Sequence, residues 1–382
     1  SGQILMIITA KTKRIAQIDI MKLLCALFVV TIHIMTDYRI QENGISQNVL
    51  LMESFLRCSV PVFFMCSGYF LFVKDNSIKQ TYKKMIKTLV FPTLLIMLIW
   101  YIFNDAVENQ NTVMGCMSVI DFGTFVQLLK GIINWDLSII KNGFYLWFMI
   151  SLIKIYIAYP ILKLICVEEA KQTKIRRYCL GIGILAEILL PSIENLTKNT
   201  FFIYGYSIFG DYSFVYVLLG YEMYLIFSKT EIKLRRSAYG LLAYISGSII
   251  TYLETMYIDV GADGNFKGWF FEYNQIGVFI SAVGFFILIR NLNIRNEKIG
   301  DILTFFGKRT FSVYLVHYFV IRGLTCYGIM EAWKQIMPRA VFYFFSSITC
   351  YMFSMMISII LYCIFYILKR SKLKLREVKR ES

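Results

Sequence analysis

Apolar residues along this chain gather into blocks of about 20, separated by short polar connections, which is the pattern of membrane-spanning helices. Ten blocks can be read, at 18–36, 57–73, 89–104, 144–166, 178–193, 208–227, 237–257, 271–290, 310–327 and 340–368. The last is long enough to tilt or to run past the bilayer. The expected fold class is all-α, a polytopic membrane bundle of ten transmembrane helices over 18–368. A short segment, 1–17, precedes it and a basic tail, 369–382, follows it. No repeat of fixed period, no low-complexity linker and no pair of half-helices broken by Gly or Pro is visible, so no internal domain boundary is drawn.

The polar connections alternate in character. Basic residues cluster at Lys11, Lys13, Arg14 and Lys22; at Lys74, Lys79, Lys83, Lys84 and Lys87; at Lys163 and 171–177; at 229–236; at 290–309; and in the tail from Lys369 to Arg380. Together they hold 30 of the 40 Lys and Arg residues, all on one side of the expected bundle. The positive-inside rule then places both termini in the cytoplasm. The opposite side carries the longer loops 37–56 and 105–143, acids such as Asp37, Glu42, Asp105 and Asp259, and Trp135, Trp147 and Trp269 as interface anchors. An amphipathic stretch at 293–309 is expected to lie along the cytoplasmic interface.

Composition agrees. The 382 residues are 57% hydrophobic and 17% charged, below the ~25% of a soluble domain, and the mean hydropathy is +0.59. A net charge of +15 would suit a nucleic-acid binder, but the basic residues sit between apolar blocks, where membrane topology explains them, so no nucleic-acid partner is expected. Nine cysteines with no CxxC spacing are expected to be buried free thiols. The opening SGQILMIITA looks like a cleavage scar rather than a signal peptide. The tail reads as a cytoplasmic stop or as a linker to a removed soluble domain. The abundance of Ile and Lys points to an AT-rich bacterial genome.

The densest chemistry lies in QIDIMKLLCALFVVTIHIM, residues 17–35. Lys22 and His33 are eleven residues apart, so they share a helical face about 16 Å apart along the axis. Ionisable groups inside a span are functional candidates. His33 reads either as a buried histidine satisfied by a neighbour or as a general base or proton relay. Lys22 reads as a snorkelling residue or as part of that stripe, with Asp19 one turn away as its partner. The other histidine, His317, lies about seven residues into the ninth block, at a depth close to that of His33. Arg57, Lys154, Glu187, Glu222, Glu254 and Arg322 also fall inside blocks, and some are expected to pair with one another; Glu222 and Arg322 are candidates for an outer, acceptor-binding side. Two histidines on distant blocks with no acidic partner give no metal site.

DIMKLLCALFVVTIH resembles the opening of the membrane acyltransferase-3 family, in which an Asp, a basic residue and, after ten residues, a His fall on the first span; here these are Asp19, Lys22 and His33. The family usually has Arg where this chain has Lys22, which keeps the charge and loses the bidentate fork. Further similar segments are VPVFFMCSGYFLF with Ser67, Gly68 and Tyr69, YLWFMISLIKIYIAYPIL with Trp147, FVYVLLGYEMY with Gly220, and FFGKRTFSVYLVHYFVI with Gly307, Tyr314 and His317. The resemblance covers about residues 15–367. It implies a multi-pass cell-membrane enzyme that takes an acyl group, usually acetyl, from cytoplasmic acyl-CoA. The acceptor would be a hydroxyl of an extracytoplasmic cell-envelope glycan or a small molecule. Acyl-CoA would be the donor substrate and no cofactor would be permanently bound. His33 would be catalytic, as a general base or a covalent acyl carrier. Lys22, Asp19 and Arg14 would meet the acyl-CoA, while His317, Tyr314, Ser67 and Trp147 would line the same cavity.

The competing function is transport of a small polar solute along a path of paired intramembrane charges. The two readings meet in a fused variant of the family, the membrane-bound serine racemases of glycopeptide resistance, where such a membrane domain has a suggested role in uptake of L-serine. A sensor without turnover has no feature of this sequence in its favour.

Overall fold

The computed structural model describes residues 15–40, 46–108, 122–134, 142–198, 211–230, 234–259, 267–294 and 296–381. Among these the regular structure is entirely helical. The main helices in chain order are α1 (Ala16–Ile40), α2 (Gln47–Leu56), α3 (Ser59–Leu71), α4 (Ile78–Met85), α5 (Phe91–Glu108), α6 (Phe122–Ile133), α7 (Trp147–Ile157), α8 (Tyr159–Ile165), α9 (Ala170–Ile184) and α10 (Leu190–Thr197). They continue with α11 (Ser213–Ser228), α12 (Leu234–Glu254), α13 (Ile276–Arg290), α14 (Glu297–Gly307), α15 (Thr310–Cys326), α16 (Ile329–Ile336) and α17 (Arg339–Glu381). The described residues of each of the ten apolar blocks are mainly helical. Seven form helices long and apolar enough to cross a membrane alone, two form bent pairs, and α11 is a shorter apolar helix.

The bent pairs correct the expectation of unbroken spans. α7 and α8 meet at 62°, and α15 and α16 at 73°. Pro160 enters the first turn of α8, where its missing N–H costs nothing but the preceding helix cannot continue. Gly328, at φ +70, makes the second turn in a conformation that a Cβ would strain. Two connections read as loops are also partly helical. α2 extends the second span back to Gln47, because Glu53 and Arg57 pair at i,i+4 and neutralise each other inside the segment. α6 lies within 105–143. The tail, read as a separate segment, continues the last helix to Glu381.

The chain divides into two compact units, Ser1–Phe63 with Glu231–Ser382, and Phe64–Thr230. In the first unit, α12 and α13 pack backbone to backbone. Cβ atoms on Gly247 and Gly284 would lie 2.4 Å from the Ser281 nitrogen and 2.3 Å from the Tyr244 nitrogen. Gly240 and Gly247 repeat every two turns on one helix, as do Gly277 and Gly284 on the other, which permits this approach. α1 packs with α15 and α17 around Ala26, Val313 and Met355. In the second unit α3 crosses α11 at Gly68 and Gly220, where added Cβ atoms would meet the carbonyl oxygens of Val217 at 2.0 Å and Met65 at 2.1 Å.

The described cysteines are all free. Cys25, Cys58, Cys66, Cys166 and Cys350 are buried as expected, whereas Cys326 and Cys363 are exposed. Cys116 lies outside the described residues.

Candidate active site

α1 is held at its beginning and carries chemistry near its end. Gln17 Nε2 donates to the Leu292 carbonyl at 2.9 Å, and Thr304 Oγ1 donates to Asp19 Oδ2 at 3.0 Å. A Cβ on Gly307 would lie 2.6 Å from the Asp19 Cβ, so α14 touches α1 directly. The amphipathic stretch expected at the interface is therefore a helix whose Thr304–Gly307 side packs on the first span. Its start is fixed by Asn296, whose Oδ1 accepts from the Lys298 and Ile299 amides. Asp19, read as an acyl-CoA contact, is fully buried and accepts from Thr304, a bond that helps seat α14 on α1. Lys22 follows on the next turn, half-buried. Arg14 lies outside the described residues.

Three turns beyond Lys22, His33 reaches α15. The rings of His33 and His317 lie 5.2 Å apart, inclined at 31°. His317 is completely buried, and its Nδ1 is 2.6 Å from the Tyr314 carbonyl oxygen. A carbonyl only accepts, so Nδ1 carries the proton and Nε2 is the nitrogen with the lone pair. Tyr314 thus contributes its backbone, with its own ring 5.8 Å from that of His317.

A polar latch continues from the pair toward the far end of α1. Tyr318 sets its ring against His33 at 5.5 Å in an edge-on contact. Its hydroxyl donates to the Asp37 carboxylate, 3.2 and 3.1 Å from the two oxygens. Arg322, one turn on from Tyr318, is within electrostatic reach of Asp37. Asp37 is itself one turn beyond His33. The two helices therefore meet repeatedly, through His33–His317, His33–Tyr318, Asp37–Tyr318 and Tyr38–Thr325. From the sequence, Asp37 is only an acid of an outer loop and Tyr318 carries no signal of its own. Their spacing from His33 and His317 was visible in the sequence, but their facing each other was not.

The remaining candidates belong to the second unit. Trp147 opens α7 with its ring 6.4 Å from those of Phe64 and 6.3 Å from that of Phe148. Ser67 is half-buried beside the Gly68 crossing. Glu222, a candidate for the acceptor side, is engaged within the fold. It accepts from Arg176 Nε at 2.8 Å, and Arg176 also donates to the carbonyls of Ile165 and Val167 at 2.9 and 3.1 Å. Glu222 thus anchors the basic 163–177 connection. The charges expected to pair among themselves find other partners where a pair is seen, Arg57 with Glu53 and Glu222 with Arg176. No group of three metal-ligating side chains occurs among the described residues.

A family model described as an acyltransferase domain matches residues 15–372. The chain belongs to the acyltransferase-3 family. No curated protein and no solved structure matches it. An acyltransferase-3 chain with this many apolar helices is a multi-pass membrane protein and an acyltransferase. In such an enzyme a half-buried imidazole packed against a fully buried one offers what acyl transfer needs, a group that takes a hydroxyl proton and a neighbour that holds its orientation.

Proposed function

We propose that this protein moves an acetyl group from cytoplasmic acyl-CoA to a hydroxyl of an extracytoplasmic acceptor, a cell-envelope glycan or a related small molecule, in the cell membrane. The observation that carries this reading is the contact between His33 and His317 at 5.2 Å, deep in one unit and three turns from Lys22. Positive-inside orientation puts Lys22 and the basic clusters on the side where the acyl-CoA phosphates arrive. The thioester then meets His33 about 16 Å deeper. His33 takes the acceptor's proton as the oxygen attacks the carbonyl carbon, or receives the acyl group itself and passes it on. His317, fixed by the Tyr314 carbonyl, packs its ring against that of His33 and limits how it can turn.

The test is label transfer from acetyl-CoA, radiolabelled in the acetyl group, into the envelope fraction of vesicles from cells expressing the protein. Removing a general acid–base group costs about 10²–10⁴ in rate. His33→Ala is expected to fall into that range with expression and helical content unchanged. Full transfer by the alanine variant would overturn the reading. The bent pairs α7–α8 and α15–α16 are the feature that favours solute transport instead, since broken spans line many transporter sites. That function would show as uptake of L-serine into proteoliposomes without any acyl-CoA.

A further inference from the structure

The second span carries a charged group at its midpoint. Arg57 sits between α2 and α3, ten residues from the start of α2, a depth of about 15 Å. Its guanidinium is held on several sides. It forms an ion pair with Glu53, one turn back and fully buried. It lies 4.7 Å over the ring of Phe271, and it is within electrostatic reach of the Tyr273 hydroxyl. The segment around the 3₁₀ turn Trp269–Phe271 is thereby fastened to the second span. Yet Arg57 Nε is buried and has no hydrogen-bond partner. Folded proteins seldom leave a charged donor in this state, and a catalytic role is one of the reasons they do. The same guanidinium is within electrostatic reach of the His33 ring.

Acyl transfer creates such an acceptor. When the hydroxyl oxygen adds to the thioester carbonyl, its proton passes to His33 and the carbonyl oxygen becomes an oxyanion. When the intermediate collapses, the carbon–sulfur bond breaks and the thiolate takes the proton back from His33. A preorganised donor aimed at the oxyanion in a dry site lowers this barrier most, and the ordinary carbonyl gains less from it. We infer that Arg57 is the oxyanion-stabilising residue, its unpartnered Nε–H meeting the acyl oxygen while Glu53, Phe271 and Tyr273 keep the guanidinium in place.

This assignment rests on the acyl-transfer reading. Its test uses the full chain in vesicles with acetyl-CoA as donor, and adds binding of a non-reactive acetyl-CoA analogue in which a ketone replaces the thioester. Arg57→Gln is expected to lose about 10²–10³ in turnover, the usual effect of removing an oxyanion donor, with analogue binding within about threefold of the unmodified protein. Arg57→Lys keeps the charge but cannot place Nε–H, so it should lose about tenfold or more while folding normally. If Arg57→Gln fails to fold, the lysine variant decides. Turnover within threefold of normal for the decisive variant, or an equal fall in turnover and analogue binding, overturns the assignment and leaves the acyl-transfer reading intact. If the unmodified protein and His33→Ala both transfer no label, both fall together.

Discussion

Substituting Gly220 by Ala should separate two helices that touch through their backbones. A methyl at Gly220 would lie 2.1 Å from the Met65 carbonyl oxygen, against the 3.4 Å at which ordinary contact begins, so α3 and α11 must part by about 1.3 Å. A gap of that size forfeits about half of the dispersion energy between the facing atoms. Two ring pairs bridge the crossing, Tyr69–Tyr224 at 5.3 Å and Phe72–Tyr221 at 5.5 Å. Each such pair contributes about 0.5–1.5 kcal/mol beyond burial, and overpacking itself costs about 1–3 kcal/mol. Alanine returns about 0.5–1 kcal/mol of helix propensity. The expected net loss is about 2–4 kcal/mol, read as a shift in a denaturant titration in mixed micelles. Gly181→Ala is the matched control, because nothing lies within 4 Å of the added methyl, and it should gain the propensity alone. Adding Gly68→Ala to Gly220→Ala should cost less than the two separately, since one outward shift relieves both. Equal stability of the Gly220 and Gly181 variants would refute the close crossing.

Arg176→Ala should destabilise the protein by about 3–5 kcal/mol, because it strands the Glu222 carboxylate in a buried setting. Arg177, mostly exposed and 3.6 Å away, offers only partial compensation. Thermal inactivation measures the loss, and the double variant Arg176→Met/Glu222→Met should recover most of it. Tyr318→Phe removes the hydroxyl from Asp37 and leaves the ring against His33. Label transfer should fall about tenfold, the worth of one hydrogen bond to a charged group, with the helical content unchanged; an undiminished rate would show that the latch has no part in turnover.

The block pattern alone determined the helical class and roughly where the apolar helices fall, because a stretch that must satisfy its backbone inside lipid has few alternatives to a helix; the breaks between α7 and α8 and between α15 and α16 came only with the structure. It also singled out His33, Lys22 and His317, because ionisable side chains are costly in such blocks and so are rarely present without reason. Only the tertiary structure decided which of these residues meet. His33 and His317 are 284 positions apart in the chain and 5.2 Å apart in space. Asp19, Glu222 and Asp37 show the same limit from the other side: the sequence named them, but their partners Thr304, Arg176 and Tyr318 stand on other helices. Hydropathy reports how deep a residue lies, and a helical face follows from its period, but neither says which helix stands opposite. That depends on packing, here on glycines at 68, 220, 247, 284 and 307 that let particular pairs of helices approach closely enough for side chains to find their partners.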